Sequence, residues 1–175
     1  IENVVARSVI DLGCGYGYLL KAVITEINAK KAAAVEPSEY AYDRAMKVLK
    51  DSPCKIKMHS EGLLDWLDHT KSGPVYDLGL CTSVFQYLTD DELQKVVSGI
   101  SRKVRVLYLT VPTAPELKRQ RVEHGFNDSY AYRRSAKFYT QIISESFTFI
   151  SGRLLESKHF YGEKNTPFTD LLFRF

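Results

Sequence analysis

Three glycines at alternate positions close the segment Val9-Ile10-Asp11-Leu12-Gly13-Cys14-Gly15-Tyr16-Gly17. Glycine lets the backbone turn tightly and lets a ligand approach with no Cβ in the way. A helix that starts there offers unpaired N–H groups and a positive dipole end to an anionic group such as a carboxylate or phosphate. Glu36 stands 19 residues after Gly17, at the end of the next β run. In a doubly wound sheet an acid at that place accepts hydrogen bonds from the two ribose hydroxyls of a nucleoside. Asp11 puts a further negative charge two residues before the first glycine. It suits a ligand with a positive charge, for example the amino group of a methionine moiety. The dinucleotide fingerprint G-x-G-x-x-G is the weaker reading. It needs its third glycine at position 18, where Tyr18 stands, and Asp11 would lie near a pyrophosphate.

Such residues need a strand, a turn, a helix and a second strand to hold them. Short β-branched runs alternate with helical stretches along the chain, the pattern of an α/β domain with a mostly parallel sheet. The spacing predicts strands over residues 8–12, 33–36, 55–59, 77–81 and 104–110. Helices are expected over 18–28, from Ser38 as N-cap to residue 50, over 90–100 and over 135–146. Residues 111–134 read as an irregular stretch rich in charge and aromatics. Two β runs, 147–160 and 170–175, read as a closing hairpin joined by the turn signals Gly162 and Asn165-Thr166-Pro167.

The composition is that of an ordinary globular protein, 45% hydrophobic and 26% charged over 175 residues. That length suits one domain spanning residues 1–175, able to bury roughly 70% of its unfolded surface. No apolar run approaches the roughly 20 residues of a membrane span, so no membrane partner is expected. The three cysteines, Cys14, Cys54 and Cys81, contain no C-x-x-C pair. That excludes a complete disulfide framework and gives no zinc-ligand spacing, so no metal is expected and a reducing cytoplasm is the simplest compartment. A formal charge of +3 is too small to imply nucleic acid by itself. Because the chain starts at Ile1, it is expected to be an excised or N-terminally shortened piece of something longer.

Asp11-Leu12-Gly13-Cys14-Gly15-Tyr16-Gly17 resembles the first motif of the class I S-adenosylmethionine-dependent methyltransferases, and Ala34-Val35-Glu36-Pro37-Ser38 resembles their ribose-binding motif. His59-Ser60-Glu61-Gly62 sits where that family has an adenine-contacting acid. Residues 76–88 look like its fourth-strand motif and following loop. The resemblance covers almost the whole chain and implies a Rossmann-like three-layer sandwich with a seven-stranded, mostly parallel sheet whose last strand is antiparallel. It implies S-adenosyl-L-methionine as cofactor. Gly13, Gly15 and Gly17 would shape the loop around its methionine end, with Cys14 and Tyr16 in that loop and Asp11 supporting it and the ammonium. Glu36 would hold the ribose diol, and Pro37 and Ser38 would flank the adenine. Glu61, or the backbone at Gly62 and Leu63, would meet the adenine amino group, while Cys81, Thr82 and Ser83 would line the pocket near the sulfonium.

Methyl transfer from a sulfonium is an in-line displacement in which the cofactor is the electrophile, so no strong catalytic signature is expected. His124, in the stretch after the fifth strand, is the candidate base. Cys81 lacks the preceding proline of the cytosine C5 methyltransferases and reads as a buried apolar thiol. Gln86 stands where many small-molecule members carry histidine; glutamine hydrogen-bonds but is no base near neutral pH. The expected acceptor is a small molecule, reached beneath a lid at residues 117–134. Arg133 and Arg134 beside Tyr130 and Tyr132 leave an RNA or protein acceptor as the alternative, and a non-catalytic cofactor-binding module as a third. The family's N-terminal cover over the cofactor would come from a further domain or a partner chain.

Overall fold

A computed structural model describes residues 6–162 and 164–166. Its centre is β1 (Ser8–Leu12), buried along its whole length because it lies between two neighbours and under helices on both faces. β1 runs parallel to β2 (Lys31–Val35) on one side and to β4 (Tyr76–Thr82) on the other. With β3 (Lys55–His59), β5 (Val104–Thr110), β6 (Phe147–Phe149) and β7 (Leu154–Ser157), the seven-stranded order is β3-β2-β1-β4-β5-β7-β6. β7 is antiparallel to both β5 and β6, and the other pairings are parallel. The expected Rossmann-like sheet with a reversed last strand is present.

Alternation along β2 divides the core in two. Ala32 and Ala34 face α1 (Tyr18–Glu26) and α2 (Glu39–Leu49), packing with Leu20, Ile24, Ala45 and Leu49. Ala33 and Val35 face the opposite layer, which α3 (Leu63–His69), α4 (Asp90–Ser101) and α6 (Ala136–Ser144) fill with Trp66, Leu93, Val97 and Ile143. Small residues on this inner strand let both helical layers come close. Caps written in the sequence fix the helix starts. The Ser38 hydroxyl accepts from Ala41 N, and Thr89 with Glu92 forms a reciprocal capping box on α4. The sheet order reverses between β1 and β4, which opens a crevice at the carboxyl ends of those strands.

Three sequence expectations change. The stretch 111–134 is not irregular throughout, since α5 (Ala114–His124) occupies its first half, with Pro115 in its first turn and Gly125 ending it at φ 64°. Only Leu117 of α5 is buried, so the helix has no apolar stripe for a periodicity argument to find. The run 147–160 is itself the hairpin, broken after Phe149 and resumed at Leu154. The run 170–175 lies outside the described residues. α3 is a helix that the spacing did not predict. No helix among the described residues is long and apolar enough to cross a membrane.

A candidate cofactor crevice at the β1–β4 switch

All three motif glycines adopt positive φ, 83° at Gly13, 54° at Gly15 and 80° at Gly17. That conformation is open to glycine and strained for other residues. The turn is stitched to the next strand, as Gly13 N and Cys14 N both donate to Val35 O, at 2.8 and 3.1 Å. Gly13 also has a packing reason. A Cβ built on it would lie 2.4 Å from Val84 Cγ2, so the loop after β4 rests directly on the glycine turn. Gly13→Ala therefore meets both a strained φ and a clash, and should destabilise the fold by about 2–4 kcal/mol. Urea unfolding checks this, and adding Val84→Ala should recover only the steric share.

Glu36 crosses that turn. Its Oε2 accepts from Gly15 N at 2.8 Å and its Oε1 from Ser38 N at 3.0 Å. The side chain is held at the crevice with 8% exposure, and each oxygen keeps a further lone pair. Asp11 lies beneath, 1% exposed, and its Oδ1 has no hydrogen-bond partner among the described residues. Burial first, and the negative charge of Glu36 second, push its carboxyl up to about 7. Burial first, then Asp11 and Glu36, raises the Cys14 thiol to about 12, and burial with Asp11 likewise raises Cys81. Both thiols stay protonated at neutral pH and are no nucleophiles.

The remaining predicted residues spread around this centre. Tyr16 points outward, edge-on to Tyr40 at 6.1 Å, with the Arg44 guanidinium over both rings. Pro37 is exposed and Ser38 caps α2. Glu61 is already occupied, its oxygens lying 3.1 Å from His59 Nδ1 and 2.7 Å from His69 Nδ1. An ionised carboxylate only accepts, so both rings carry their proton on Nδ1. Gly62 precedes α3 as its N-cap. Cys81 is fully buried under the crevice, and Thr82 ends β4 opposite Thr110. Ser83 follows at φ 55°, a left-handed conformation that costs a non-glycine residue about 1 kcal/mol. His124 is the exposed last residue of α5, and none of its hydrogen bonds or ion pairs joins it to the crevice among the described residues.

Sequence reasoning passed over how the loop after β4 is held. Gln86 is 2% exposed and donates from Nε2 to Ser83 O at 2.9 Å. Arg134, expected in the lid at residues 117–134, is buried. It donates to Asp90 Oδ1, Phe85 O and Leu88 O, and its guanidinium lies 4.7 Å from the Tyr132 ring and 5.2 Å from that of Phe138. Its partners stand 44 to 49 positions earlier, so no local pattern announces them.

A parallel sheet that reverses at its centre, with a glycine turn and an acid on the next strand at that reversal, defines a nucleoside-binding α/β domain. The chain belongs to the methyltransferase domain family, whose profile it matches over residues 9–106, more than half its length. The family's cofactor is S-adenosylmethionine. Among solved structures, the fold is similar to an S-adenosylmethionine-dependent methyltransferase from Clostridium acetobutylicum, with 12% identity, TM-score 0.65 and coverage of 86% of this chain and 83% of that one. It is similar to magnesium protoporphyrin IX methyltransferase from Synechocystis, solved with bound cofactor, at 20% identity and TM-score 0.58, covering 89% and 71%. Small RNA methyltransferase HEN1 matches at 16% identity and TM-score 0.67, covering 87% of this chain and 23% of that one. Of some other matched structures the chain spans little more than half, 55 or 56%. No curated protein sequence matches it.

Proposed function

We propose that this chain binds S-adenosylmethionine in the β1–β4 crevice and transfers its methyl group to a small-molecule acceptor. The carrying observation is Glu36, whose carboxylate spans Gly15 N and Ser38 N above an orphaned, buried Asp11 oxygen. The fit is chemical as well as spatial. A ribose diol needs an acceptor with free lone pairs, and a cationic amino-acid tail needs a compensating carboxylate beside bare main chain. When bound, the cofactor supplies a sulfonium methyl as electrophile. The chain's own residues bind and orient. In this reading Gly13–Gly17, with Cys14 and Tyr16, wrap the amino-acid end, Glu36 with Pro37 and Ser38 holds the nucleoside, and Thr82 and Ser83 wall the reacting end over Cys81. Glu61 and Gly62 border the adenine, with Glu61 oriented by its two histidines.

A cavity of about 310 Å³ favours the small acceptor. It opens at the carboxyl end of β5, lined by Leu109, Thr110, Thr113, Tyr139 and Ile143 among others. Thr110 O also accepts from Ser83 N at 2.8 Å, so the cavity begins one strand from the Ser83 turn. Its size, its apolar lining with a few hydroxyls, and Arg153 at its edge suit a compact molecule carrying at most one anionic or polar group. A second reading has its own observation. α5 leaves Lys118 and Arg121 exposed, and Phe126 and Tyr130 are exposed in the segment after it, a surface on which an RNA strand can lie. Thermal unfolding separates the readings from their common premise. S-adenosylhomocysteine should raise the melting midpoint by several degrees and NADH should not. No shift with S-adenosylhomocysteine overturns the cofactor assignment, whereas RNA binding that falls steeply with salt and is lost with Lys118 and Arg121 favours the second acceptor class.

A further inference from the structure

We infer that Gln86 is a positioning residue that locks the Ser83 backbone in its left-handed turn and so sets the wall of the cofactor crevice. The inference rests on the cofactor reading above and assigns a role to a residue outside the expected site. Ser83 has φ 55°, a conformation that serine adopts only where its surroundings impose it. Two contacts impose it here. Ser83 N donates to Thr110 O at 2.8 Å on the adjacent strand, and Ser83 O accepts from Gln86 Nε2 at 2.9 Å. The amide orientation follows from that carbonyl, which can only accept, so Nε2 faces it. Oε1 is left buried with no partner among the described residues. A buried acceptor is left unpaired at a cost that the Ser83 contact must outweigh.

The turn has a consequence one residue on. It directs Val84 onto Gly13, close enough that no Cβ would fit between them. The rest of the loop closes on itself, Val84 O accepting from Tyr87 N, and is pinned from outside, Gln86 O accepting from Tyr132 N and Phe85 O and Leu88 O from Arg134. With its outer end fixed in this way, the loop is closed at its inner end by Gln86 Nε2 on Ser83 O. Gln86 thus acts through Ser83 and Val84 on the glycine turn, as a holder of backbone and not as a base.

The test uses calorimetric titration of S-adenosylhomocysteine into the wild type, Gln86→Ala, Gln86→Glu, Ser83→Gly and the double variant Ser83→Gly/Gln86→Ala. Loss of one buried hydrogen bond that orders the wall should weaken binding about tenfold in Gln86→Ala. Gln86→Glu should lose as much, because a carboxylate cannot donate to Ser83 O. Glycine adopts the left-handed turn unaided, so in the Ser83→Gly background Gln86→Ala should lower the affinity by no more than about threefold relative to Ser83→Gly alone, which is the rescue. A residue that merely filled the core would show no such rescue. Wild-type affinity in Gln86→Ala, or an unrescued double variant, overturns the inference. Melting midpoints of the same set decide the matter without ligand. The two substitutions should be non-additive, with Ser83→Gly more favourable in the Gln86→Ala background, and additive midpoints also overturn it. If the wild type fails to bind S-adenosylhomocysteine, the cofactor reading falls while the midpoints still judge the Gln86–Ser83 lock.

Discussion

Glu36→Gln should lower the affinity for S-adenosylhomocysteine by a hundredfold or more while leaving the protein folded. The carboxylate has two duties, and the amide fails at both. In the free protein, Oε1 and Oε2 accept from Ser38 N and Gly15 N, at 3.0 and 2.8 Å. An amide presents one acceptor and one donor group, so one of those backbone N–H groups would face an NH2. Toward the ligand, the same amide forfeits two charge-assisted hydrogen bonds to a diol. Each is worth about 1.5–3 kcal/mol, so the affinity should fall by roughly a hundredfold to ten-thousandfold. Glu36→Asp should fall nearly as far, because a side chain one methylene shorter cannot span Gly15 and Ser38 together. Titration calorimetry gives the affinity, and thermal unfolding of the unliganded variants shows that the fold persists. An affinity within a few-fold of wild type for Glu36→Gln would remove the ribose role from this residue.

That prediction stands on residues legible in the chain alone, and the physical reason is locality. β1 and the glycine turn are contiguous, and Glu36 ends the very next strand, so type and spacing suffice. β1 and β5 are marked by buried β-branched and apolar runs, and α2 and α4 by caps a few residues from the groups they satisfy. Where the reading stopped, the determinant is either weak or distant. α3 buries only Leu63 and Trp66 in a seven-residue helix and has no side-chain cap. α5 buries Leu117 alone, so proline and glycine at its ends define it more than its face does. Arg134 is the clearest case of distance. In the sequence it is one cation among several beside tyrosines. Its burial comes from Asp90 and from carbonyls of the loop after β4, which only tertiary packing brings together. Gln86 shows the same limit, since its local contact to Ser83 gains meaning only from a backbone angle that sequence does not reveal.

Asp11 carries the second large effect, a proton displaced when the cofactor's product binds. Its carboxyl is held at about 7 in the free protein because burial and Glu36 both oppose its charge. Below that pH the folded chain keeps a proton there, whereas an unfolded chain with an ordinary aspartate near 3.8 has lost it by about pH 5. The folded state thus binds more protons across the window from about 4 to 7. Its stability falls as pH rises through that window, by at most about 1.4 kcal/mol per unit from this group. Ligand binding has the opposite sign. An ammonium brought to the Asp11 oxygen favours the carboxylate, so the affinity for S-adenosylhomocysteine should climb with pH, by up to about tenfold per unit below pH 7, and level off above it. Titrations at pH 6 in two buffers of different ionisation enthalpy should report close to one proton released per ligand, and close to none at pH 8.5. Asp11→Asn should weaken binding at neutral pH, erase the proton release and flatten both profiles. Glu36 raises the Asp11 carboxyl, so any residual binding by Glu36→Gln should show the proton release shifted to lower pH. A wild-type protein whose affinity is flat from pH 5.5 to 8 would mean that the buried carboxylate and the ligand's cation do not meet.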